Sequence, residues 1–370
     1  MSDKARVLLA AGGTGGHVYP AIAIADALRS MHPDIELLFA GTRNHMEWEA
    51  VPKAGYPISN IWISGFHRRL TAKNLLFPVK LLTSMVQSWN MIRAFKPDVV
   101  VSCGGYVAGP VGWIAQQMNI PVVIQEQNSL PGVTNRLLAK KATKIFTAFK
   151  EAARFFPGGN IELSGNPTRS ALATMPRSEG LDAFGFNPDN PTLLVMGGSG
   201  GAKSINEAVR DNLDELHHNQ NLQLIWQCGS RYISGMRASV DEKQYPRLRL
   251  TEFIHNMPHA YAASDLVVSR AGASSCSEFM NIGKPSILIP SPYVAGDHQT
   301  QNARAMEDAG ASALLVDRDA NVKLSEMVHQ YITDAQQLEA MSEAARTLAK
   351  PDAAKTIAQE ILTLAQTRNN

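Results

Sequence analysis

The chain has 370 residues, of which 45% are hydrophobic and 18% charged, so a disordered or fibrous protein is excluded and two or three domains are expected. No apolar run approaches the ~18 residues of a membrane span, and the N-terminus leads directly into a strand pattern, which predicts no signal peptide. Three widely spaced cysteines exclude a disulfide framework and a CxxC metal site, and they favour a reducing compartment.

The charge is distributed unevenly along the chain. The totals of 35 basic and 33 acidic residues give a net charge of only +2. Up to Asn166, however, there are 17 basic and 10 acidic residues, whereas the remainder has 18 and 23. Within residues 67–154 there are 12 basic and 3 acidic residues. A basic first half indicates an anionic partner, which could be nucleic acid, a phosphorylated substrate or a lipid surface.

Short runs rich in Val, Ile and Leu alternate with helical patterns, which predicts βαβ units around parallel sheets. Strands are predicted at residues 7–11, 35–40, 99–103, 122–125, 144–147, 192–196, 222–227, 266–269, 286–289 and 313–316. Helices are predicted at residues 18–31, 75–95, 202–216, 274–281 and 299–309, and in the Ala-rich C-terminal stretch.

The sequence contains an internal echo. Residues 7–17 and 193–202 both pass from an apolar strand through a glycine loop into a helix. The economical interpretation is an α/β protein with two doubly wound, Rossmann-like domains that face a central cleft and bind the ligand at the carboxyl ends of their strands. The expected domains are residues 1–166 and 167–345. A final helical segment, 346–370, could pack back on the first domain.

Each glycine loop can be interpreted in two ways. A loop that opens a helix lets backbone N–H groups approach a phosphate, but glycine turns also serve strand–helix packing alone. Dinucleotide binding is disfavoured, because no carboxylate ends the second strand at Phe39-Ala-Gly-Thr42. The second loop nearly matches the P-loop of nucleoside triphosphatases, but Ala202 stands where that motif has a glycine before its lysine, here Lys203.

Two other strand ends carry small residues. The predicted strand at residues 99–103 is followed by Gly104-Gly-Tyr106, and the one at residues 266–269 by the segment from Arg270 to Glu278. Ser274, Ser275 and Ser277 could cap a helix and offer hydroxyls to a diphosphate, and Glu278 could accept hydrogen bonds from a ribose. The alternative is an ordinary capped helix with an acidic residue in its first turn.

Among the histidines, His17 has the most suggestive position, since it ends the first glycine loop where a helix begins. There it could act as a general base or as a donor to the transition state, although most single histidines are structural. His217 and His218 are interpreted as an exposed helix end. Asp317-Arg-Asp319 resembles a metal-binding DxD motif but is interpreted as a surface turn.

Residues 66–82 interleave cations with large apolar side chains. Pro78 is expected in the first turn of a helix or at a kink. Leu75, Leu76, Phe77, Val79 and Leu82 cannot all face one core while Lys73 and Lys80 stay solvated. One interpretation is an interfacial segment on an anionic membrane, and the other is an ordinary amphipathic helix beside a loop. No nucleic-acid-binding motif accompanies the charge, so a nucleic-acid partner is not expected.

Eight segments, taken in order, resemble the MurG family of peptidoglycan N-acetylglucosaminyltransferases over nearly the whole chain. They are Gly12-Gly-Thr-Gly-Gly-His17, Gly104-Gly-Tyr106, Glu126-Gln-Asn128, Gly165-Asn-Pro-Thr-Arg169, Gly197-Gly-Ser-Gly-Gly-Ala202, Thr251-Glu-Phe-Ile254, Arg270-Ala-Gly-Ala with Ser277-Glu278, and Asp297-His-Gln299. The resemblance implies a GT-B architecture and inverting transfer of N-acetylglucosamine from UDP-N-acetylglucosamine to the 4-hydroxyl of N-acetylmuramic acid in lipid I, giving lipid II. The alternatives are a UDP-sugar epimerase of the same architecture and a non-catalytic nucleotide-binding module.

The resemblance also implies roles for individual residues. Donor contacts would fall on Thr14, Gly15, Gly16, Asn128, Arg169, Ser199, Ile254, Ala273, Ser274, Ser275, Cys276, Ser277, Glu278 and Gln299. Ile254 would meet the uracil through its backbone, Glu278 the ribose, and Ser199 with Ser275 the diphosphate. The first glycine loop and Tyr106 would lie on the acceptor side, and His17, Tyr106 and Asn128 are the candidate catalytic residues.

No cofactor and no protein-bound metal are implied, although a free divalent cation would be compatible with the chemistry. The implied partners are UDP-N-acetylglucosamine, lipid I, an anionic membrane surface met through residues 66–82, and proteins of cell-wall synthesis and division. The implied location is peripheral, on the cytoplasmic face of the inner membrane. Gly200 departs from the family pattern, in which a longer residue, often Gln, is common. The spacing between Asp297 and Asn302 leaves open whether Gln299 or Gln301 contacts the donor.

Overall fold

A computed structural model describes residues 4–65, 76–156, 158–168, 175–198, 200–218 and 221–369. The chain divides into two compact units. Unit 1 comprises Met1–Thr168 and Lys350–Asn370, and unit 2 comprises Arg169–Ala349. The division after Thr168 lies two residues beyond the expected boundary. The return to unit 1 at Lys350 follows a helix that runs past residue 346.

Unit 1 is built on a seven-stranded parallel sheet with the strand order β3-β2-β1-β4-β5-β6-β7. The strands are β1 (Arg6–Ala10), β2 (Glu36–Gly41), β3 (Ile58–Asn60), β4 (Val99–Ser102), β5 (Val122–Glu126), β6 (Lys144–Thr147) and β7 (Ile161–Leu163). The helices are α1 (Gly15–Met31), α2 (Glu47–Lys53), α3 (Phe77–Phe95), α4 (Gly105–Gln117), α5 (Val133–Leu138) and, from the end of the chain, a helix at Ala353–Asn369.

Unit 2 repeats the plan with six parallel strands in the order β10-β9-β8-β11-β12-β13. The strands are β8 (Thr192–Met196), β9 (Gln223–Gln227), β10 (Leu248–Thr251), β11 (Leu266–Ser269), β12 (Ser286–Leu288) and β13 (Ser312–Leu314). The helices are α6 (Arg177–Phe184), α7 (Lys203–Asp211), α8 (Leu213–His218), α9 (Ile233–Ser239), α10 (Met257–Ala263), α11 (Ala273–Ile282), α12 (His298–Asp308), α13 (Ala320–Ile332) and α14 (Ala335–Leu348). The C-terminal helix at Ala353–Asn369 is α15.

The two doubly wound parallel sheets confirm the predicted α/β class. Strands β1, β4, β5 and β8 are buried on both faces, which explains their continuous apolar runs. In unit 1, α15 packs on α1 and adds Ile357, Ile361 and Ala365 to the core beneath β1. Hydrogen bonds from Arg368 Nη1 to the carbonyl oxygens of Pro97 and Asp98 anchor its far end. Unit 1 therefore has a core made of residues from both ends of the chain.

Helix α3 differs from an ordinary surface helix, because two of its three buried residues are serines and several of its large apolar side chains are exposed. Ser84, Ser88 and Ile92 are buried, and the two serine hydroxyls donate to helix carbonyl oxygens. Leu82 and Val86 are 66% and 60% exposed. Pro78 lies in the first turn, as predicted. The first part of the 66–82 stretch, including Arg68, Arg69 and Lys73, lies outside the described residues.

Candidate functional site

In unit 1, the loops that follow β1, β4 and β5 meet at the carboxyl edge of the sheet. These strands are neighbours, and the strand order reverses direction between β1 and β4, which is where open α/β sheets bind ligands. Gly105 has φ +81°, and a Cβ there would lie 2.2 Å from the carbonyl oxygen of Gly12. Only glycine permits this contact, so the two glycine motifs pack directly against each other.

His17 lies between these loops, in the first turn of α1. Its Nδ1 is 3.1 Å from Oγ1 of Thr14, and its ring packs so closely on Gly104 that a Cβ at that position would lie 2.8 Å from Cδ2. The side chain is half-buried. Thr14 and Gly104 together therefore fix the orientation of the imidazole at the edge of the sheet.

A buried carboxylate stabilises the first glycine loop. Glu47, which begins α2 and is 1% exposed, accepts hydrogen bonds from the backbone N–H groups of Gly13 and Thr42, each at 3.1 Å. As the sequence indicates, β2 ends without a carboxylate, but Glu47 reaches this point from the next helix. Because Glu47 occupies the N–H of Gly13, this part of the loop does not offer that group to a phosphate.

The motif after β5 is organised by a second buried carboxylate, Glu126. Its oxygens accept from the backbone and side-chain nitrogens of Asn128 (3.0 and 3.2 Å), the backbone of Gly132 (3.1 Å) and Nδ2 of Asn135 (2.9 Å). Burial raises the pKa of Glu126, and these donors oppose the rise. Ser102 donates to Oδ1 of Asn135 at 3.1 Å, so the chain ends of β4 and β5 are tied together.

Tyr106 is 53% exposed and lies in the first turn of α4. Its hydroxyl packs on Gly65, where a Cβ would lie 2.3 Å from that oxygen. Thr14 is exposed, whereas Gly15 and Gly16 are half-buried at the start of α1. The structure thus brings the unit 1 candidates Thr14, Gly15, Gly16, His17, Tyr106 and Asn128 to one edge of one sheet.

In unit 2, the corresponding edge lies at the carboxyl ends of β8 and β11, where the strand order again reverses. Gly201 has φ +74°, and a Cβ there would lie 2.0 Å from the carbonyl oxygen of Cys228, so the loop after β8 packs on the end of β9. Around Gly200 there is open space, and a longer side chain would fit. The candidates Arg169 and Ser199 lie outside the described residues.

Helix α11 begins after β11, and its cap differs from the one predicted. The N-cap residue is Gly272, with no side-chain capping bond, so the prediction that serines cap this helix was wrong. Ser277 is 2% exposed and donates to the carbonyl oxygen of Ala273 at 2.8 Å. The Cys276 thiol is fully buried, which raises its pKa to about 12. Among the serines of this turn, Ser274 and Ser275 therefore remain the candidates for side-chain contact with a ligand.

Glu278 is held by a residue that sequence reasoning missed. The hydroxyl of Tyr261, a buried residue of α10, donates to Oε2 of Glu278 at 2.6 Å. Burial, with the nearby carboxylate, raises the pKa of Tyr261 well above its ordinary value, so it remains a donor. The spacing along the chain gives no signal for this pair, because the two residues belong to different helices.

Two other predicted contacts lie at the same edge. Ile254 follows β10, is 6% exposed and lines a cavity of about 360 Å³ together with Phe184, Arg249 and His255. Gln299 lies in the first turn of α12, and its Oε1 accepts from the backbone N–H of Ser291 at 2.8 Å.

The comparisons with known proteins agree with this arrangement. The glycosyltransferase family 28 N-terminal domain matches residues 7–147, and the family 28 C-terminal domain matches residues 192–357. The UDP-N-acetylglucosamine--N-acetylmuramyl-(pentapeptide) pyrophosphoryl-undecaprenol N-acetylglucosamine transferase of Salinibacter ruber is 46% identical, over 99% of this chain and 98% of that protein. The chain belongs to the MurG family.

Solved structures agree with the MurG assignment. The crystal structure of Acinetobacter baumannii MurG is 29% identical and has a TM-score of 0.77, covering 97% of this chain and 99% of that one. The UDP-GlcNAc 2-epimerase from Neisseria meningitidis, bound to UDP-GlcNAc, is 16% identical with a TM-score of 0.65, covering 97% and 100%. That similarity concerns the fold alone. The predicted GT-B architecture is confirmed.

One motif outside the MurG landmarks has a structural role. The turn Asp317–Asp319 is present and contains no fully buried residue, in agreement with its interpretation as a surface turn, although the side chain of Asp317 is only 15% exposed. Its Oδ1 accepts from Arg270 Nη1 at 2.5 Å and from the Ser204 hydroxyl at 2.6 Å. This ion pair joins the loop after β11 to the turn after β13. Both of its residues also hydrogen-bond to the hydroxyl of Ser204, in the first turn of α7 beside the second glycine loop. Across the described residues, no group of three potential metal ligands occurs.

Two further expectations can be compared with the described part of the chain. His217 is 6% exposed and packs edge-on against Tyr245, so the interpretation of an exposed histidine pair was wrong for this residue. None of the helices in the described ranges has the length and apolar character that crossing a bilayer requires.

Proposed function

We propose that this chain transfers N-acetylglucosamine from UDP-N-acetylglucosamine to lipid I and so produces lipid II. The observation that carries the proposal is the 46% identity, over nearly the full length of both proteins, to a relative named for this transfer. The positions of the predicted residues at the carboxyl edges of both sheets are consistent with it.

The donor would bind to unit 2. The N-terminus of α11 presents backbone N–H groups at the strand-order switch, where a diphosphate is stabilised by the helix dipole. Oγ of Ser274 is buried without a hydrogen-bond partner among the described residues. A hydroxyl in this position is suited to donate a hydrogen bond to a ligand oxygen. Glu278, oriented by Tyr261, would accept hydrogen bonds from the ribose, and the cavity beside Ile254 would receive the uracil.

The acceptor would react at the edge of unit 1. We propose a single displacement in which the 4-hydroxyl of N-acetylmuramic acid forms a bond to the anomeric carbon while the bond from that carbon to UDP breaks. His17, oriented by Thr14 and Gly104, would take the hydroxyl proton. Tyr106 and Asn128 would position the acceptor. The negative charge of the departing UDP would be stabilised by the first turn of α11.

Labelled UDP-N-acetylglucosamine, incubated with and without a lipid I analogue, tests the reaction. We expect UDP release only when the acceptor is present, together with label in the lipid product. Epimerised UDP-sugar without acceptor would instead indicate the epimerase alternative. A folded chain that binds UDP without any turnover would indicate a nucleotide-binding module.

We also propose that unit 1 binds an anionic membrane surface through the exposed apolar face of α3. Val79, Leu82, Val86 and Trp89 recur at helical spacing and are 51%, 66%, 60% and 42% exposed. Apolar residues at so many exposed positions on one helix are unusual in a surface that contacts only water. An interfacial helix uses this arrangement to bury its apolar face among the lipid headgroups.

Neighbouring residues support the same surface. Helix α4 packs against α3 on one side and against α5 on the other. In α5, Val133 and Leu137 are 63% and 71% exposed. Lys140 and Lys141 follow this helix directly, and residues 67–154 carry 12 basic and 3 acidic residues. Cations beside an apolar patch favour anionic lipid. We therefore also propose a peripheral location on the cytoplasmic face of the inner membrane.

Sedimentation with phosphatidylglycerol vesicles tests this surface. The double variant L82D/V86D should lose most vesicle binding and retain UDP binding, because both changes lie on an exposed face of unit 1. Val322, a 79% exposed valine of α13 in unit 2, supplies the matched control V322D, which should bind vesicles like the unchanged chain. Equal sedimentation of both variants would contradict the proposal.

A further inference from the structure

Unit 2 contains a second cavity, at the edge of the sheet opposite to its glycine loop. The cavity has a volume of about 480 Å³ and is bounded by Asp265, Lys284 and Pro285, which directly precede β11 and β12, and by the side of α14. Since all strands in this sheet are parallel, residues that precede them lie at the amino edge. None of the residues expected to bind the donor lies on the wall of this cavity.

Most charges in the cavity wall are paired. Arg177 and Asp265 form a two-point ion pair, with Nε–Oδ1 and Nη2–Oδ2 distances of 3.1 and 3.0 Å. The backbone N–H of Thr192 also donates to Oδ2 of Asp265, at 2.8 Å. Arg346 pairs with Glu339 at 3.1 Å near the mouth of the cavity, where both side chains are more than half exposed. One cation of the cavity wall is therefore left without a carboxylate partner among the described residues.

That cation is Lys284. Its Nζ donates to the carbonyl oxygen of Ser264 at 2.6 Å, and no carboxylate of the described residues lies within 4.0 Å of it. The carboxylate of Asp265 is already bound by Arg177 and Thr192. Burial lowers the pKa of Lys284 to about 8; Asp265 opposes this shift, while Arg177 and Arg346 add to it. A ligand anion at this point would supply the missing charge.

The remaining wall is suited to the rest of such a ligand. Pro258, Ile282 and Leu338 add apolar surface, and the volume falls in the range of small-molecule sites. We propose that this cavity binds a small organic anion whose carboxylate or phosphate head pairs with Lys284 and whose apolar part contacts Pro258, Ile282 and Leu338. The site is distinct from the one proposed for the donor.

The cavity also touches the residues that orient the donor site. Tyr261 lines it, and the hydroxyl of the same residue holds Glu278. Helix α11 begins beside the donor site and ends at Ile282 in the cavity wall, where the Ser342 hydroxyl donates to the carbonyl oxygen of Gly283 at 2.6 Å. A bound anion would therefore be linked to UDP affinity, and UDP would affect anion affinity by the same factor.

Calorimetric titration of the full chain tests the site, with UDP present at saturation so that the donor site is filled. Benzoate and phenyl phosphate are the probes, and they report which head group is preferred. We expect the unchanged chain to bind at least one of them and K284M to bind it at least tenfold more weakly. K323M, which removes an exposed lysine of α13, should bind like the unchanged chain. Equal binding by K284M, or no binding of either probe by the folded chain, would overturn the proposal.

A second measurement applies even where K284M does not fold. Benzoate keeps its charge between about pH 7 and pH 9.5, so its affinity for the unchanged chain should fall as Lys284 loses its proton near pH 8. The charged and titratable groups that face Lys284 are Arg177, Asp265, Tyr261, Glu339 and Arg346. Guanidinium and carboxyl groups ordinarily titrate far outside this range, and the pKa of Tyr261 is raised. Constant affinity across the range would overturn the proposal.

Discussion

The hydroxyl of Tyr261 donates a hydrogen bond of 2.6 Å to Oε2 of Glu278 and so connects α10, in the interior of unit 2, with the first turns of α11. Tyr261 is 2% exposed and cannot itself reach a nucleotide at the surface. We propose a positioning role for it, because it holds the carboxylate that we assign to the ribose.

Removal of this hydroxyl should weaken UDP binding and leave the fold intact. In Y261F the ring still fills its pocket, but Glu278 loses a donor worth about 1.5–3 kcal/mol, part of which should appear as a several-fold loss of UDP affinity in calorimetry. Y245F is the matched control, since Tyr245 also donates to a carboxylate at 2.6 Å, on Asp214, away from the donor residues. Equal UDP affinity in Y261F and Y245F would contradict the positioning role.

Removal of the carboxylate itself should have a larger effect. E278A eliminates a charged acceptor for the ribose hydroxyls, and we expect UDP affinity to fall by about tenfold or more, equivalent to about 1.5–3 kcal/mol. E326A, a change on the exposed side of α13, serves as control. Titration with UDP that gives the same dissociation constant for both variants would refute the assignment of Glu278.

His17 should matter for turnover more than for donor affinity. H17A removes the group proposed to take the acceptor proton, and general-base catalysis typically contributes about 10²–10⁴-fold to the rate. The measurement is kcat with the lipid I analogue, beside UDP affinity measured separately. H32A, at the other end of α1, provides the control for effects on the helix. Near-normal kcat in H17A would remove His17 from the mechanism.

The ion pair between Asp317 and Arg270 should contribute to stability. The two side chains are only 15% and 11% exposed, so D317A leaves a poorly solvated guanidinium without its partner, at a cost of about 3–5 kcal/mol. D319A removes a carboxylate from the same turn that is 34% exposed, and its cost should stay below about 1 kcal/mol. Urea unfolding compares the two variants, and similar midpoints would show that the pair contributes little.

Lys284 predicts a specific dependence of stability on pH. Its pKa in the folded chain, about 8, lies below the ordinary value of 10.5, so between these pH values the unfolded chain binds more protons and stability rises with pH. From about pH 7 to about pH 9.5 the free energy of unfolding of the unchanged chain should gain about 2 kcal/mol relative to K284M. K323M should show no such relative change. A difference between the unchanged chain and K284M that does not vary with pH would contradict the lowered pKa.

The sequence predicted the central strands well and missed three at sheet edges. Strands β3, β7 and β10 have only three or four residues, each ends its sheet, and each is partly exposed. An edge strand needs no continuous apolar run, so periodicity gives little signal for it.

For the candidate site, too, the sequence predicted some residues and missed others. Motif residues such as His17 and Glu278 were found because glycine loops and strand ends mark their positions along the chain. Glu47, Asn135 and Tyr261 were missed, since each acts through a contact with a residue on another element. The same reason explains Asp317, whose partner Arg270 is distant in sequence. Partnerships of this kind arise only from tertiary packing.

The packing of α15 on α1 has a consequence for synthesis of the chain. Ile357, Ile361 and Ala365 complete the core of unit 1, but the ribosome makes them only after all of unit 2. Domains usually fold from the N-terminus as they emerge. Here unit 2 is finished first, and until the last helix emerges the nascent first unit exposes the apolar side of α1 to chaperones and proteases. Deletion of α15 should therefore impair the folding of unit 1 while leaving unit 2 folded.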